Sequence, residues 1–111
     1  SPMPKSELYD DDVLVIGLGR FGGAAALELQ RLGHRVLGVE ADGVLAERFL
    51  GKLTKVVQAD ATEARIIETV RARSFPFAVV GIGSSVEASV LAAANLVDAG
   101  IPSIWAKAHS L

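Results

Sequence analysis

The 111-residue sequence contains no cysteine, which excludes disulfides, thiolate metal sites and thiol nucleophiles and fits a reducing compartment. The two histidines, His34 and His109, have no metal-ligand partner at a motif spacing. Basic runs and aromatic platforms are also missing, and the net charge is −2, which argues against DNA or RNA as a ligand. Apolar runs are too short or too interrupted to span a membrane, so we expect no membrane insertion.

Half of the residues are hydrophobic, which predicts one folded domain with a real core. We expect this domain to cover residues 12–111. Residues 1–11 contain two prolines and run into three aspartates, and they are predicted to form a flexible leader. Ser1 and Pro2, which precede Met3, resemble residues left by cloning.

The most informative segment is the glycine-rich run at residues 17–22, Gly-Leu-Gly-Arg-Phe-Gly, which follows the apolar run 13–16. A strand, a glycine turn and a helix in this order are typical of a dinucleotide-binding fold. We expect Gly17 to form the tight turn, Gly19 to let a pyrophosphate approach the backbone and Gly22 to let the helix pack close to its strand. The amino-terminal N–H groups of the helix would then face the phosphates.

A second predicted strand ends at Glu40, close to the expected interval of about 20 residues after the glycines. A carboxylate at this position accepts hydrogen bonds from ribose hydroxyls and repels a 2′-phosphate. No arginine follows at residues 41 or 42, so NADP is disfavoured relative to NAD(H), ATP or ADP. The alternative is that the glycines only form turns and that Glu40 is solvated.

Strand and helix patterns alternate along the whole chain, with short connections. The predicted strands are 12–17, 35–40, 54–59, 77–82 and 103–107, and the predicted helices are 21–32, 43–51, 62–72 and 85–99. Right-handed crossovers favour an α/β, Rossmann-like, doubly wound parallel sheet in the order 3-2-1-4-5. We expect the sheet to be truncated before a sixth strand.

Two further loops are predicted to reach the site. Gly81, Gly83 and Ser84 follow strand four and would form a second wall opposite the glycine turn, unless this segment is only a turn with Ser84 or Ser85 capping a helix. Asp60, followed by Ala61, either approaches an adenine edge or caps the third helix, and Thr62 is the other candidate for that cap. In the capping alternative, Asp60 and Glu63 have the spacing of a capping box.

Two helices carry specific expectations. In the first helix, Phe21, Ala25, Leu29 and Leu32 form the apolar stripe, Gly33 ends the helix, and Arg20 can grip a terminal phosphate. The fourth helix is apolar on more than one face, which favours contact with another subunit or with further sequence. The eleven residues predicted to contact a nucleotide are Gly17, Gly19, Arg20, Phe21, Gly22, Glu40, Asp60, Ala61, Gly81, Gly83 and Ser84.

Several segments together resemble the N-terminal nucleotide-binding lobe (RCK or TrkA-N domain) of Trk/Ktr-type potassium-uptake regulatory subunits. They are the run 15–22, the segment 32–40, Ala-Asp-Ala-Thr at 59–62, Val-Gly-Ile-Gly at 80–83 with Glu-Ala-Ser at 87–89, and Ile-Pro-Ser-Ile-Trp-Ala-Lys-Ala at 101–108. The resemblance implies that the glycine loop with Arg20 holds phosphates, that Glu40 holds ribose and that Asp60 lies near adenine.

The resemblance also implies a function. Proteins of this kind are bacterial, cytoplasmic and peripheral to the inner membrane, bind ATP, ADP or NAD(H), and assemble as homo-oligomeric rings on a membrane potassium-translocating subunit. Outside this resemblance we find no arrangement of acid, base, nucleophile or metal ligands that forms an active site. We therefore expect a non-enzymatic nucleotide sensor, and the alternative is the NAD-binding half of a dehydrogenase whose catalytic domain is missing.

Overall fold

The computed structural model describes residues 12–83 and 85–107, and the leader predicted for residues 1–11 lies outside them. Strands and helices alternate through the described chain. They are β1 (Asp12–Ile16), α1 (Arg20–Arg31), β2 (Arg35–Glu40), α2 (Gly43–Arg48), β3 (Lys55–Gln58), α3 (Ala64–Thr69), a 3₁₀ turn (Ala72–Ser74), β4 (Phe77–Val80), α4 (Val86–Asp98) and β5 (Ser103–Ala106).

The strands of the described residues form one five-stranded sheet in the order β3-β2-β1-β4-β5. Every neighbouring pair is parallel. Because both faces of a parallel sheet are covered by crossover helices, the inner strands are apolar on both sides, and all five residues of β1 are buried. The predicted α/β, Rossmann-like architecture and strand order are confirmed.

The core has one layer on each face of the sheet. On the α3 and α4 face, Leu14, Ile16 and Val80 pack against Ile67 and Leu96. The other layer lies under α1 and α2 and consists of Val13, Val15, Leu18, Ala26, Val36, Leu53 and Val79. The two layers hold the carboxyl ends of all five strands at one edge of the sheet, where ligands bind in folds of this type.

The stripe predicted for α1 is wrong in part. Phe21 and Leu32 are 40% and 60% exposed, whereas the buried residues of α1 are Gly22, Gly23 and Ala26. Small residues let the helix axis come close to the sheet, so the line of contact follows the glycines rather than the large apolar side chains. The predicted end of the helix is confirmed, because Gly33 has φ +100° and its N–H donates to the Gln30 carbonyl.

The third helix is shorter than predicted, and neither of the two candidate caps, Asp60 and Thr62, caps it. The Thr62 N–H and hydroxyl both donate to Asp60 Oδ1, at 2.9 and 2.7 Å, which forms a turn before the helix rather than a cap on it. The residue at the N-cap position is Glu63, without a side-chain cap bond. The helix ends early because Arg71 adopts left-handed φ and ψ values of 56° and 46°.

The cap predicted at Ser84 or Ser85 is present at Ser85, which accepts from Ala88 N at the start of α4. At the start of α2, Asp42 accepts from Val44 N and Leu45 N. Helix α2 nevertheless ends at Arg48, before the predicted end at residue 51.

Helix α4 has one buried face and an exposed apolar face. Ser89, Ala92 and Leu96 are buried against the sheet. Val86, Val90 and Val97, which we call the outer stripe, are 55%, 60% and 64% exposed. The spacings of four and seven residues place these three side chains on one side of the helix. The surplus apolar surface predicted for this helix is therefore present.

Candidate nucleotide site

The glycine turn is held between three strands by backbone contacts. Gly17 has φ +89°, which L side chains rarely adopt, and its N–H donates to the Val39 carbonyl at 2.8 Å. A Cβ on Gly22 would overlap the Gly17 carbonyl oxygen, and a Cβ on Gly81 would lie 2.9 Å from the Gly22 Cα atom. These three glycines therefore form a close backbone contact that joins the turn, α1 and the loop after β4.

Gly19 differs from these three glycines, because no contact and no backbone angle in the described protein requires a glycine at this position. It has φ −72°, which any residue adopts, and a Cβ placed there would find no heavy atom within 4 Å. Gly19 is the N-cap of α1 and provides no side-chain cap, so the first N–H groups of the helix remain available to another acceptor. Open space, a missing Cβ and free donors are the features that a pyrophosphate needs.

Glu40 ends β2 and points its carboxylate at the glycine turn. Oε1 accepts from Leu18 N at 2.7 Å, and Oε2 accepts from Asp42 N at 2.8 Å. Two carboxylate oxygens offer about four acceptor sites, so each oxygen retains capacity for a ribose hydroxyl. Glu40 thus already fixes the loop that would carry the phosphates, which sequence analysis did not predict.

Asp60 and Ala61 lie beside Glu40 in a small depression between the ends of β1, β2 and β3. This depression, the acidic pocket, has a volume of about 50 Å³ and is lined by Ile16, Gly17, Val39, Glu40, Ala41, Asp60, Ala61 and Ile82. The hydrogen bond from the Thr62 hydroxyl, and to a lesser extent the bond from the Thr62 N–H, lowers the pKa of Asp60 below its ordinary value. This carboxylate is therefore ionised at neutral pH. The pocket is therefore a set of acceptors suited to hydroxyl and amino groups.

On the other side of the glycine turn lies a second cleft, the basic cleft, of about 150 Å³ between the ends of β1, β4 and β5. Its lining includes two cationic side chains, Arg20 and Lys107. The remaining lining residues are Gly19, Phe21, Val80, Gly81, Ile82, Gly83 and Ser89. The acidic pocket and the basic cleft share Ile82 and are separated by the glycine turn, so a ligand laid across Gly19 has access to both.

The structure brings ten of the eleven predicted contact residues to this edge of the sheet, and Ser84 lies outside the described residues. Gly22 serves packing between backbones, whereas the other nine border the acidic pocket or the basic cleft, and Gly81 also takes part in the backbone contact with Gly22. A larger cleft of about 220 Å³ beside Arg35 and Arg71 lies at the amino-terminal ends of the strands. Ligands of open α/β sheets bind at the opposite, carboxyl ends, so this larger cleft is not the candidate site.

Three residues at the site were missed by sequence analysis. Lys107 reaches the basic cleft because β5 lies next to β4, a proximity that only the strand order reveals. Asn95 Nδ2 donates to the carbonyls of Ala61 and Thr62, both at 3.0 Å. Ser89 Oγ donates to the Ile82 carbonyl at 2.8 Å. Asn95 and Ser89 thereby fix the loops of the acidic pocket and the basic cleft. The helical pattern of the sequence does not distinguish polar residues that hold a loop from polar residues that face solvent.

Within residues 12–83 and 85–107, no cluster of three or more histidine or acidic side chains could hold a metal ion. The helices of the same residues include none with the length and hydropathy needed to cross a bilayer.

Comparison with solved structures supports the fold. The NAD(P)-binding domain of an exopolyphosphatase-related protein from Archaeoglobus fulgidus superimposes with a TM-score of 0.77 at 20% identity, covering 88% of this chain and 73% of that one. The TrkA-N domain of the inner membrane protein ybaL from Escherichia coli superimposes with a TM-score of 0.64 at 13% identity, covering 85% of each chain.

Comparison with known sequences identifies the family. The Ktr system potassium uptake protein A of Bacillus subtilis is 40% identical over 96 residues, and its namesake from Vibrio alginolyticus is 33% identical over 100 residues. These matches cover 86% and 90% of this chain but 43% and 46% of the relatives, so the chain spans less than half of their length. Residues 13–111 match the TrkA-N domain, and the chain belongs to this family.

Proposed function

We propose that this chain is the nucleotide-sensing domain of a regulatory subunit in a bacterial potassium-uptake system. Two relatives at 33–40% identity carry the name of a potassium uptake protein, which supports the transport role. The observation that carries the nucleotide role is the Glu40 carboxylate, 2.7 Å from Leu18 N beside an open Gly19. The carboxylate that would bind the ribose and the uncapped helix that would bind the phosphates thus lie next to each other.

Among nucleotides, the proposal favours ATP and ADP. With adenosine over Glu40 and Asp60 and the diphosphate over Gly19, the far end of the ligand reaches the basic cleft, where Arg20 and Lys107 lie. Two cations attract a terminal phosphate and repel the positively charged ring of NAD⁺. NADP is the least suited ligand, because Glu40 would face the 2′-phosphate.

We infer a non-enzymatic role and an association with a membrane potassium-translocating subunit. The relatives are named as proteins of a potassium uptake system, which supports such an association, and we place it at the cytoplasmic face of the membrane as part of the proposal. The outer stripe of α4 supports assembly into a homo-oligomer, because an exposed apolar face marks an interaction surface. The dehydrogenase alternative accounts equally well for the glycines and Glu40 but gives no reason for the two cations of the basic cleft.

A thermal-shift panel with ATP, ADP, NAD⁺, NADH and NADP⁺ tests the proposed function. A ligand that binds only the folded state raises the Tm by mass action, and at 100 times its Kd it contributes about 2.7 kcal/mol. We expect the largest shifts with ATP and ADP and the smallest with NADP⁺. Unchanged melting with all five ligands at millimolar concentration contradicts the proposal, and a shift with NAD⁺ alone favours the dehydrogenase alternative.

Replacing Arg20 with alanine is expected to weaken ATP binding about tenfold more than ADP binding, because a charged hydrogen bond contributes about 1.5–3 kcal/mol. The Arg20 side chain is exposed and has no ion-pair or hydrogen-bond partner among the residues that the structure describes, so the fold should be unaffected. Calorimetric titration of both nucleotides measures the effect. Equal losses for ATP and ADP would reject Arg20 as the residue that distinguishes them.

A further inference from the structure

Lys107 follows β5 directly and is anchored at the rim of the basic cleft. Its backbone N–H donates to the Val80 carbonyl at 3.2 Å, which extends the pairing of β5 with β4 by one residue. Its Nζ atom lies 5.9 Å from the centroid of the Phe21 ring. The backbone of Lys107 is thus held by the sheet, whereas its ammonium group lies over the face of an exposed aromatic ring.

Charge in the basic cleft is not balanced by the described protein. The three ion pairs of the described residues join Arg31 to Glu28, Arg35 to Asp12 and Arg65 to Glu63, and none of them involves Arg20 or Lys107. A cation over an exposed aromatic ring is only weakly stabilised, so the ammonium group can leave the ring for a stronger partner. Two cations that share one cleft repel each other until an anion lies between them.

We propose that Lys107 binds the terminal phosphate of a nucleoside triphosphate from the side opposite Arg20, leaving the Phe21 ring when the ligand arrives. This assignment rests on the proposed nucleotide function and adds a residue to it. Arg20 approaches from the first turn of α1 and Lys107 from the end of β5, so the phosphate would join two elements that are far apart in sequence. Phe21 then serves as the resting position of the ammonium group in the free protein.

The test is calorimetric titration of ATP, ADP and AMP into the wild-type protein and the variants Lys107→Gln, Lys107→Arg and Lys52→Gln. Lys52 is a matched control, because it is an exposed lysine in the connection before β3, at the other end of the strands. We expect Lys107→Gln to weaken ATP binding about tenfold and ADP binding less than threefold, since the lost charge-assisted bond is made to the terminal phosphate. Lys107→Arg should stay within about threefold of wild type, because it retains the charge.

The outcomes separate this assignment from the proposed function. If the wild-type protein binds ATP and Lys107→Gln leaves the ATP affinity unchanged, the assignment of Lys107 is overturned but the proposed function is not. Equal losses for ATP, ADP and AMP also overturn it, since they indicate a general change of the cleft. A wild-type protein that binds none of the three nucleotides contradicts the proposed function itself. Equal melting temperatures of all four proteins without ligand would show that the differences arise in binding.

Discussion

Replacing Gly22 with alanine is expected to lower the free energy of unfolding by about 3 kcal/mol, at the upper end of the range for overpacked sites. The new Cβ would overlap the Gly17 carbonyl oxygen and lie 2.8 Å from the Gly17 carbonyl carbon. Backbone atoms cannot rotate away as a side chain does, so α1 must move from the sheet. The gain in helix propensity, about 1 kcal/mol, offsets only part of this cost. Urea denaturation measures the change.

Gly19→Ala is the matched control, since it makes the same substitution three residues away. The added methyl group meets no protein atom and φ is −72°, so we expect the free energy of unfolding to stay within about 1 kcal/mol of wild type. Nucleotide affinity should nevertheless fall at least tenfold, because the methyl group occupies the approach of the pyrophosphate. A stable Gly22→Ala protein would refute the close-contact argument, and a Gly19→Ala protein with full affinity would remove Gly19 from the site.

Replacing Glu40 with alanine is expected to have the second large effect, a loss of ADP affinity of at least about 100-fold, since two charged hydrogen bonds to the ribose contribute about 1.5–3 kcal/mol each. The same change removes the acceptors of Leu18 N and Asp42 N. An unsatisfied, partly buried N–H costs about 1–3 kcal/mol, so the Tm should fall as well. Calorimetry with ADP, paired with a melting curve, measures both effects.

Two controls separate ribose binding from loosening of the loop. Glu47→Ala makes the same substitution at an exposed position of α2 and should change neither quantity. Inorganic pyrophosphate has no ribose, so its affinity for the Glu40→Ala protein should be retained if the glycine turn keeps its shape. Loss of both ligands would indicate that Glu40 acts through the turn alone, and unchanged ADP affinity would place it outside the site.

The sheet order and the glycine turn could be predicted from sequence because both depend on local patterns. Apolar runs alternate with amphipathic segments, and right-handed crossovers leave few arrangements for five parallel strands. The strand order in turn predicted that the loops before α1 and after β4 face each other, and the close approach of Gly17 to the backbone of Gly81 confirms this.

The parts that were mispredicted or missed depend on contacts between distant residues. The apolar stripe of α1 was misplaced because periodicity favours large side chains, whereas the sheet is approached through Gly22 and Ala26. The spacing made Asp60 a candidate helix cap. Its carboxylate instead accepts from the N–H and the hydroxyl of Thr62, which is only two residues away in sequence. Lys107 gave no local signal, because its place in the basic cleft depends on β5 pairing with β4.

Two of the loops that border the proposed nucleotide site are fastened to the same helix. From α4, Asn95 donates to two carbonyls of the loop after β3, and Ser89 donates to one carbonyl of the loop after β4. A ligand that displaces either loop therefore displaces α4 with it. The opposite side of α4 carries the outer stripe, so occupancy of the proposed nucleotide site is expected to shift the surface through which we propose that the protein assembles.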